Sequence, residues 1–278
     1  MNADDFGLTT GVNRAISELN QRHALTSATL MARAEATQEA LSIAGSSQSL
    51  GVGCHVVLVD GLPVTPPDKL PYLSHPRTLR FAPTLGSLLS KLLLSGRAIE
   101  AEIEAEASAQ IALLQSRGLH VTHIDTHKHT HMFPRVLRPV LRAARAAGIR
   151  SVRNPFEPQW SLRATPGAPF VRRTQVRLLR ALEPAFRRIV AEEGFATTDG
   201  AIGVLATGTL DSATLTSLLH AMPDGTWELV THPGYNDADL ANAGTRLLAS
   251  RELELKTLTE AAFNADIQLI HFGQLSTR

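Results

Sequence analysis

Apolar residues at Val12, Ala15, Ile16 and Leu19 recur at the i, i+3, i+4, i+7 spacing, which predicts an amphipathic helix over residues 11–22. Similar reasoning predicts helices at 35–44, 98–117, 136–147, 170–193, 212–221 and 240–265. Short apolar runs between them predict strands at 25–31, 50–59, 120–125, 149–153, 201–206, 227–232 and 267–272. Six prolines between Asp60 and Pro83 predict a long loop, and residues 157–169 read as a second one. Repeated strand-then-helix units point to a parallel sheet with helices outside it. About seven units favour a (β/α) barrel over an open sheet, and no GxGxxG follows the first strand to argue for a dinucleotide fold. The fold class is therefore α/β, with residues 1–278 expected as a single barrel domain.

Composition narrows the class further. A chain of 278 residues with 44% hydrophobic and 19% charged residues reads as globular. Lys+Arg 27 against Asp+Glu 26 gives no general argument for nucleic acid. One cysteine excludes an intramolecular disulfide framework and a CxxC-type zinc site. No uninterrupted apolar run reaches transmembrane length and no secretory signal is visible, so a cytoplasmic protein without stable membrane insertion is expected. The stretch holding Arg172, Arg173, Arg177, Arg180, Arg187 and Arg188 reads as a solvated helix face balanced by Glu183, Glu192 and Glu193. Its rival is a surface for anionic lipid or nucleic acid.

The eleven histidines change the picture, because five fall between His120 and His131. Barrel sites lie at the C-terminal ends of strands, and the polar residues fall there. They are Asp4 and Asp5 before the first helix, His55, then His123, Asp125, His127, His129 and His131, then Arg153 with Asn154, and His232. Each has a bland reading: His55 as a bonded core residue, the Asp pair as a helix cap, the histidine run as an unfolded metal-scavenging tract. Convergence on one rim favours a hydrolytic metal site, with Asp5, His55 and His127 as the preferred ligands. His127 and His131, at i and i+4, are the rival pair if that segment is helical. Asp4 could accept the proton of a metal-activated water.

Three motifs then carry a resemblance. They are Asn2-Ala3-Asp4-Asp5-Phe6-Gly7-Leu8, Gly51-Val52-Gly53-Cys54-His55, and Thr122-His123-Ile124-Asp125-Thr126-His127-Lys128-His129-Thr130-His131-Met132-Phe133-Pro134. Together with Gly61-Leu62-Pro63-Val64 and Thr231-His232-Pro233-Gly234, they resemble the YdjC/ChbG carbohydrate deacetylases, including a hopanoid-biosynthesis-associated branch. The resemblance implies a deformed (β/α) barrel related to the polysaccharide deacetylases. It also implies hydrolysis of the N-acetyl group of an amino sugar with a divalent metal, Mg2+ or Zn2+. By the same resemblance Asp5, His55 and His127 match the ligands and Asp4 the base. His232 matches a rim group that protonates the leaving amine or steadies the oxyanion, and Arg153 a group that orients carboxylate or substrate.

Two departures stand out. Family members have a short hydrophobic strand before the Asn-Ala-Asp-Asp motif. Here that strand is absent, which leaves two readings: the true start lies upstream, or the barrel lacks its first strand and Asp4 and Asp5 sit on a loosely held end. Cys54 replaces a larger apolar residue and reads as a buried, inert thiol. The loops 60–83 and 157–169 are expected to shape the sugar pocket. Few aromatic residues favour a small acetylated amino sugar over a polymer, and a homodimer is compatible with the sequence. Alternatives are another metal-dependent amidohydrolase or phosphoesterase, or an inactive paralogue acting as a binding protein.

Overall fold

Asn and Asp are poor strand formers, yet Asn2–Phe6 forms β1, paired in parallel with neighbours on both sides. The chain is described by a computed structural model over residues 1–261, 263 and 266–275. Its other strands are β2 (Ser27–Leu30), β3 (Gly51–Val56), β4 (Ile124–Thr126), β5 (Gly200–Ile202) and β6 (Trp227–Thr231). They form one parallel sheet in the order β4-β3-β2-β1-β6-β5. The expectation of a missing first strand is thus wrong: β1 is an inner strand. It carries Asp4 and Asp5 itself, and its backbone is held in register at Asn2 and Ala3 by β2 and β6.

The helices are α1 (Thr10–Gln21), α2 (Thr37–Ser46), α3 (Leu85–Leu94), α4 (Ala98–Ser116), α5 (Pro134–Ala146), α6 (Gln159–Ala164), α7 (Phe170–Leu179), α8 (Glu183–Glu192), α9 (Ser212–Ala221), α10 (Ala238–Asn242) and α11 (Ala249–Thr259). The result is a single α/β domain with a curled sheet forming a half-barrel. Among the described residues the sheet has six strands rather than about seven. Residues 149–153 contribute only isolated bridges, Ile124 to Val152 and Ser151 to Ala196, because that segment is irregular on both sides. Residues 267–272 make no strand and run into a 3-10 turn, Phe272–Gln274. The expected helix 170–193 is divided by a 3-10 turn at Arg180–Leu182, after which Pro184 occupies the first turn of α8. The expected helix 240–265 is split into α10 and α11, and its residues 262, 264 and 265 lie outside the described ones. α3, capped reciprocally by Thr84 and Ser87, was not expected from the sequence pattern.

Alternation along the strands sorts the chemistry. Ala3, Ala28, Leu30, Val52, Cys54, Val56 and Ile124 are buried in the apolar core. Residues of opposite parity, Asn2, Asp4, Ser27, Thr29, His55 and Asp125, are equally buried but polar. They therefore require internal partners. The proline-rich loop is pinned from outside. Glu106 of α4 accepts from the amides of Val64 and Thr65, Glu102 from those of Tyr72 and Leu73, and Gln110 from that of Val57. Among the described residues no helix is long and apolar enough to cross a membrane.

Candidate active site

Asp5 is the residue the local backbone treats most unusually. The pairing of β1 with β2 slips between Ala3 and Phe6, and Asp5 has φ 63°, in the left-handed region that costs a non-glycine residue energy. That bulge brings Asp5 Oδ1 to 3.6 Å from His55 Nε2 and 3.3 Å from His127 Nδ1. The two imidazole nitrogens are 3.3 Å apart. Donors about 2.1 Å from a tetrahedral zinc-type ion stand ~3.4 Å from one another. The three side chains thus fit a borderline divalent cation in donor chemistry and in spacing. His55 is the penultimate residue of β3, His127 follows β4, and the three line one cavity of about 360 Å³.

Asp125, on β4 directly opposite His55, completes this arrangement. Its Oδ1 is 2.8 Å from His55 Nδ1, and Thr29 Oγ1 is 3.2 Å from the same nitrogen. With Nδ1 donating to Asp125, Nε2 presents its lone pair to the cavity. Burial pushes the His55 imidazole down, but the neighbouring Asp125 outweighs it and holds the group at about 9.

Asp4 lies beside this trio and is gripped from behind. Arg153 donates from Nη2 to Oδ1 at 2.6 Å and from Nη1 to Oδ2 at 2.9 Å, and Asn2 Nδ2 donates to Oδ1 at 3.0 Å. Burial would raise the Asp4 carboxyl, but the Arg153 guanidinium holds it far below the usual carboxylate range. Arg153 also pairs with Asp125 and with Glu228, whose Oε1 is 2.7 Å from Nη2. One buried cation thus serves three buried acids. Burial is the largest influence on Glu228 and raises it to about 7 in spite of Arg153.

On the other side His232, after β6, places Nε2 3.8 Å from Asp4 Oδ2 and Nδ1 3.9 Å from Glu254 Oε2. Glu254, on α11, also accepts the His232 backbone amide at 2.6 Å. Burial lowers the imidazole, so the ring rests neutral. Arg251, one turn earlier on α11, reaches Asp5 Oδ2 at 2.6 Å, leaving Oδ1 to face the histidines.

The structure therefore brings Asp4, Asp5, His55, His127, Arg153 and His232 together. It separates His131. Lys128 and His129 have φ 56° and 52°, so the segment turns as a kinked 3-10 element in which i and i+4 do not share a face. His131 is spent on Thr126 Oγ1 at 2.7 Å and the Arg153 carbonyl at 3.2 Å. Nor is His123 at the rim: it packs where a Cβ on Gly53 would stand and stacks on Phe272. His129 does line the cavity, with a buried Nδ1 that has no partner among the described residues.

The expected pocket loops are largely elsewhere. Of residues 60–83 only Asp60 lines the cavity, bridged at 2.7 Å to Lys128, because α4 holds the rest of the loop away. The segment 157–169 folds into α6, anchored by Glu157 through the amides of Gly203 and Leu205. The wall is instead built by residues 243–247, Arg172, Val204 and Thr207. Sequence reasoning missed Glu228, Glu254 and Arg251 and gave Asp125 no role. The available signal was an acid in the strand Trp-Glu-Leu-Val-Thr and charges on the buried face of a helix.

The chain is similar to several known proteins. A carbohydrate deacetylase of Brevibacillus brevis is 31% identical over 99% of this chain and 98% of its own. Another from Geobacillus stearothermophilus is 31% identical over 99% and 96%, and one from Thermoanaerobacter pseudethanolicus 27% identical over 94% and 90%. A solved structure from Enterococcus faecalis V583, named as a candidate for cellobiose-phosphate cleavage, superposes with TM-score 0.71 at 23% identity. It covers 93% of this chain and 89% of that one, a likeness of fold. The YdjC-like protein family matches residues 1–269, a span that includes every side chain of the cluster. With that match and relatives of this identity over nearly full length, the chain belongs to the YdjC-like family.

Proposed function

We propose that this protein is a divalent-metal-dependent carbohydrate N-deacetylase, hydrolysing the acetamido group of a small amino-sugar substrate. The observation that carries the reading is the convergence of Asp5, His55 and His127 within 4.8 Å, with Asp4 alongside in the same cavity. The relatives named carbohydrate deacetylases support the reaction class. Asp5, His55 and His127 would hold the ion, Mg2+ or Zn2+ by its donor set. Once bound, such an ion polarises the amide carbonyl and lowers the pKa of water.

The chain's own groups divide the remaining work. Asp4, kept ionised and aimed by Arg153, takes the proton from the attacking water. Glu254 faces His232 Nδ1 and stabilises charge on that ring, so Nε2 can receive the proton from Asp4 and pass it to the departing amine. Amide plus water thereby gives acetate plus the free amino sugar. Asp125 fixes the His55 ring, and Arg251 fixes Asp5. Lining groups are mostly polar and aliphatic, which suits one or two sugar units rather than a stacked polymer.

The test is acetate release from N-acetylglucosamine and its disaccharide, with Mg2+ or Zn2+ added to chelator-treated protein. Stoichiometric acetate and free amine, both lost in Asp4→Asn, are the expected result. Phosphate release from sugar phosphates without acetate would assign the same cluster to a phosphoesterase. Failure of either ion to raise the melting temperature would overturn the metal site.

A further inference from the structure

Helix α7 has no fully buried residue, and only Leu179 at its end packs against the core. Phe170, Val171 and Leu178 are 79%, 66% and 70% exposed, which is unusual for side chains of this size on a single helix. At 100° per residue they fall, with Thr174, on one stripe about 100° wide. The charges near this stripe differ from those further along. Arg180 and Arg187 pair with Glu183, and Arg188 with Glu192. Arg173 donates only to backbone carbonyls, so its charge is left without an ion-pair partner, whereas Arg172 donates to the carbonyls of Thr207 and Val204 with Glu157 and Glu254 nearby. Among the described residues Arg177 has no carboxylate within ion-pair distance either. The helix lies in the connection leaving residues 151–152 toward α8, on the side where the strands end, and Arg172 lines the cavity mouth. A 320 Å³ cleft beside it joins Pro169 and Arg172 to Arg246 and the half-exposed Leu248, extending the same mixture of cation and aliphatic surface.

A second copy of the chain is a poor complement. A two-fold contact through the stripe would bring together two copies of a helix that carries Arg172, Arg173 and Arg177 and no acid. An anionic bilayer matches both parts, since its acyl boundary takes the apolar stripe and its phosphates take the guanidinium groups. We propose that α7 is a docking surface for anionic lipid bilayers, holding the protein reversibly at the membrane face with the cavity mouth beside the headgroups. This is interfacial attachment, not spanning, and it is independent of the deacetylase reading.

The experiment is co-sedimentation of the full chain with vesicles of phosphatidylcholine alone and of phosphatidylcholine with phosphatidylglycerol. The chain should pellet with the anionic vesicles and stay in solution with the neutral ones. Salt well above physiological strength should release it. Phe170→Ser combined with Leu178→Ser should abolish pelleting while the variant melts at the wild-type temperature, because these side chains hold no core contact. Arg177→Gln should weaken binding about fivefold, the worth of one cation at an anionic surface. No pelleting with anionic vesicles, or undiminished pelleting of the double variant, would overturn the proposal. So would a dimer in sedimentation velocity that depends on Phe170 and Leu178 in a protein that ignores vesicles.

Discussion

Arg153 shows how one side chain can be worth more than its contacts. It is fully buried between Asp4, Asp125 and Glu228, so removing it strands three acids without a counter-charge. Breaking a buried pair costs about 3–5 kcal/mol. Arg153→Met is therefore expected to lose at least that much in urea unfolding, with Arg153→Lys intermediate because an ammonium cannot reproduce the bidentate grip. Asp125→Asn should fold, since the amide still reaches His55. It should cost about 10–100-fold in metal affinity, measured by titration calorimetry. Glu228 adds a pH signature. Its folded value of about 7 lies above the unfolded value of about 4.3, so its contribution is complete below the lower figure and is lost as pH rises through the higher. Stability curves of wild type and Glu228→Gln should diverge across that window, and parallel curves would refute the assignment. Cys54, buried with its thiol pushed up by burial, should resist thiol reagents until the chain unfolds.

At the scale of elements, β1 and β3 place the site through opposite devices. β1 uses a bulge at Asp5, and β3 uses small residues below His55 to make room inside the curl. A Cβ on Gly53 would stand 2.5 Å from the His123 ring. Gly53→Val should consequently cost about 1–3 kcal/mol and shift the His123–Phe272 stack, seen in denaturant midpoint and in His123 ring resonances. The segment after β4 shows where periodicity misleads. Its histidine spacing permits a helix, but the left-handed backbone at Lys128 and His129 turns His127 to the cavity and His131 to the interior. Helix α7 is a related case. Its arginines read as a balanced face, which holds for Arg180, Arg187 and Arg188 and fails for the half nearer the cavity.

Over the whole molecule, the proposed site draws on both ends of the chain. Asp5 is held by Arg251, 246 positions away, and Asp4 by Arg153, 149 positions away. A cation bound by the folded state alone should stabilise the entire fold, by about 2.7 kcal/mol at a hundred times its Kd. Calorimetry should accordingly give a melting temperature that climbs with Mg2+ or Zn2+, and this climb should vanish in Asp5→Ala and His127→Ala.

Sequence by itself determined the α/β class, most strand and helix positions, five side chains that meet in the cavity and Arg153 behind them. Periodicity is a local property, and the residue types of a hydrolytic site are few and chemically particular. It did not reveal β1, because strand propensity disfavours its residues. They are stable there only with Arg153, Thr29 and Asn2 to satisfy them. Tertiary structure decided that β1 exists, that His131 turns away, that Asp125, Glu228, Arg251 and Glu254 support the site, and which loops wall the cavity. Each of these follows from burying charge in a shared interior, where every acid must find a partner contributed by a distant part of the chain.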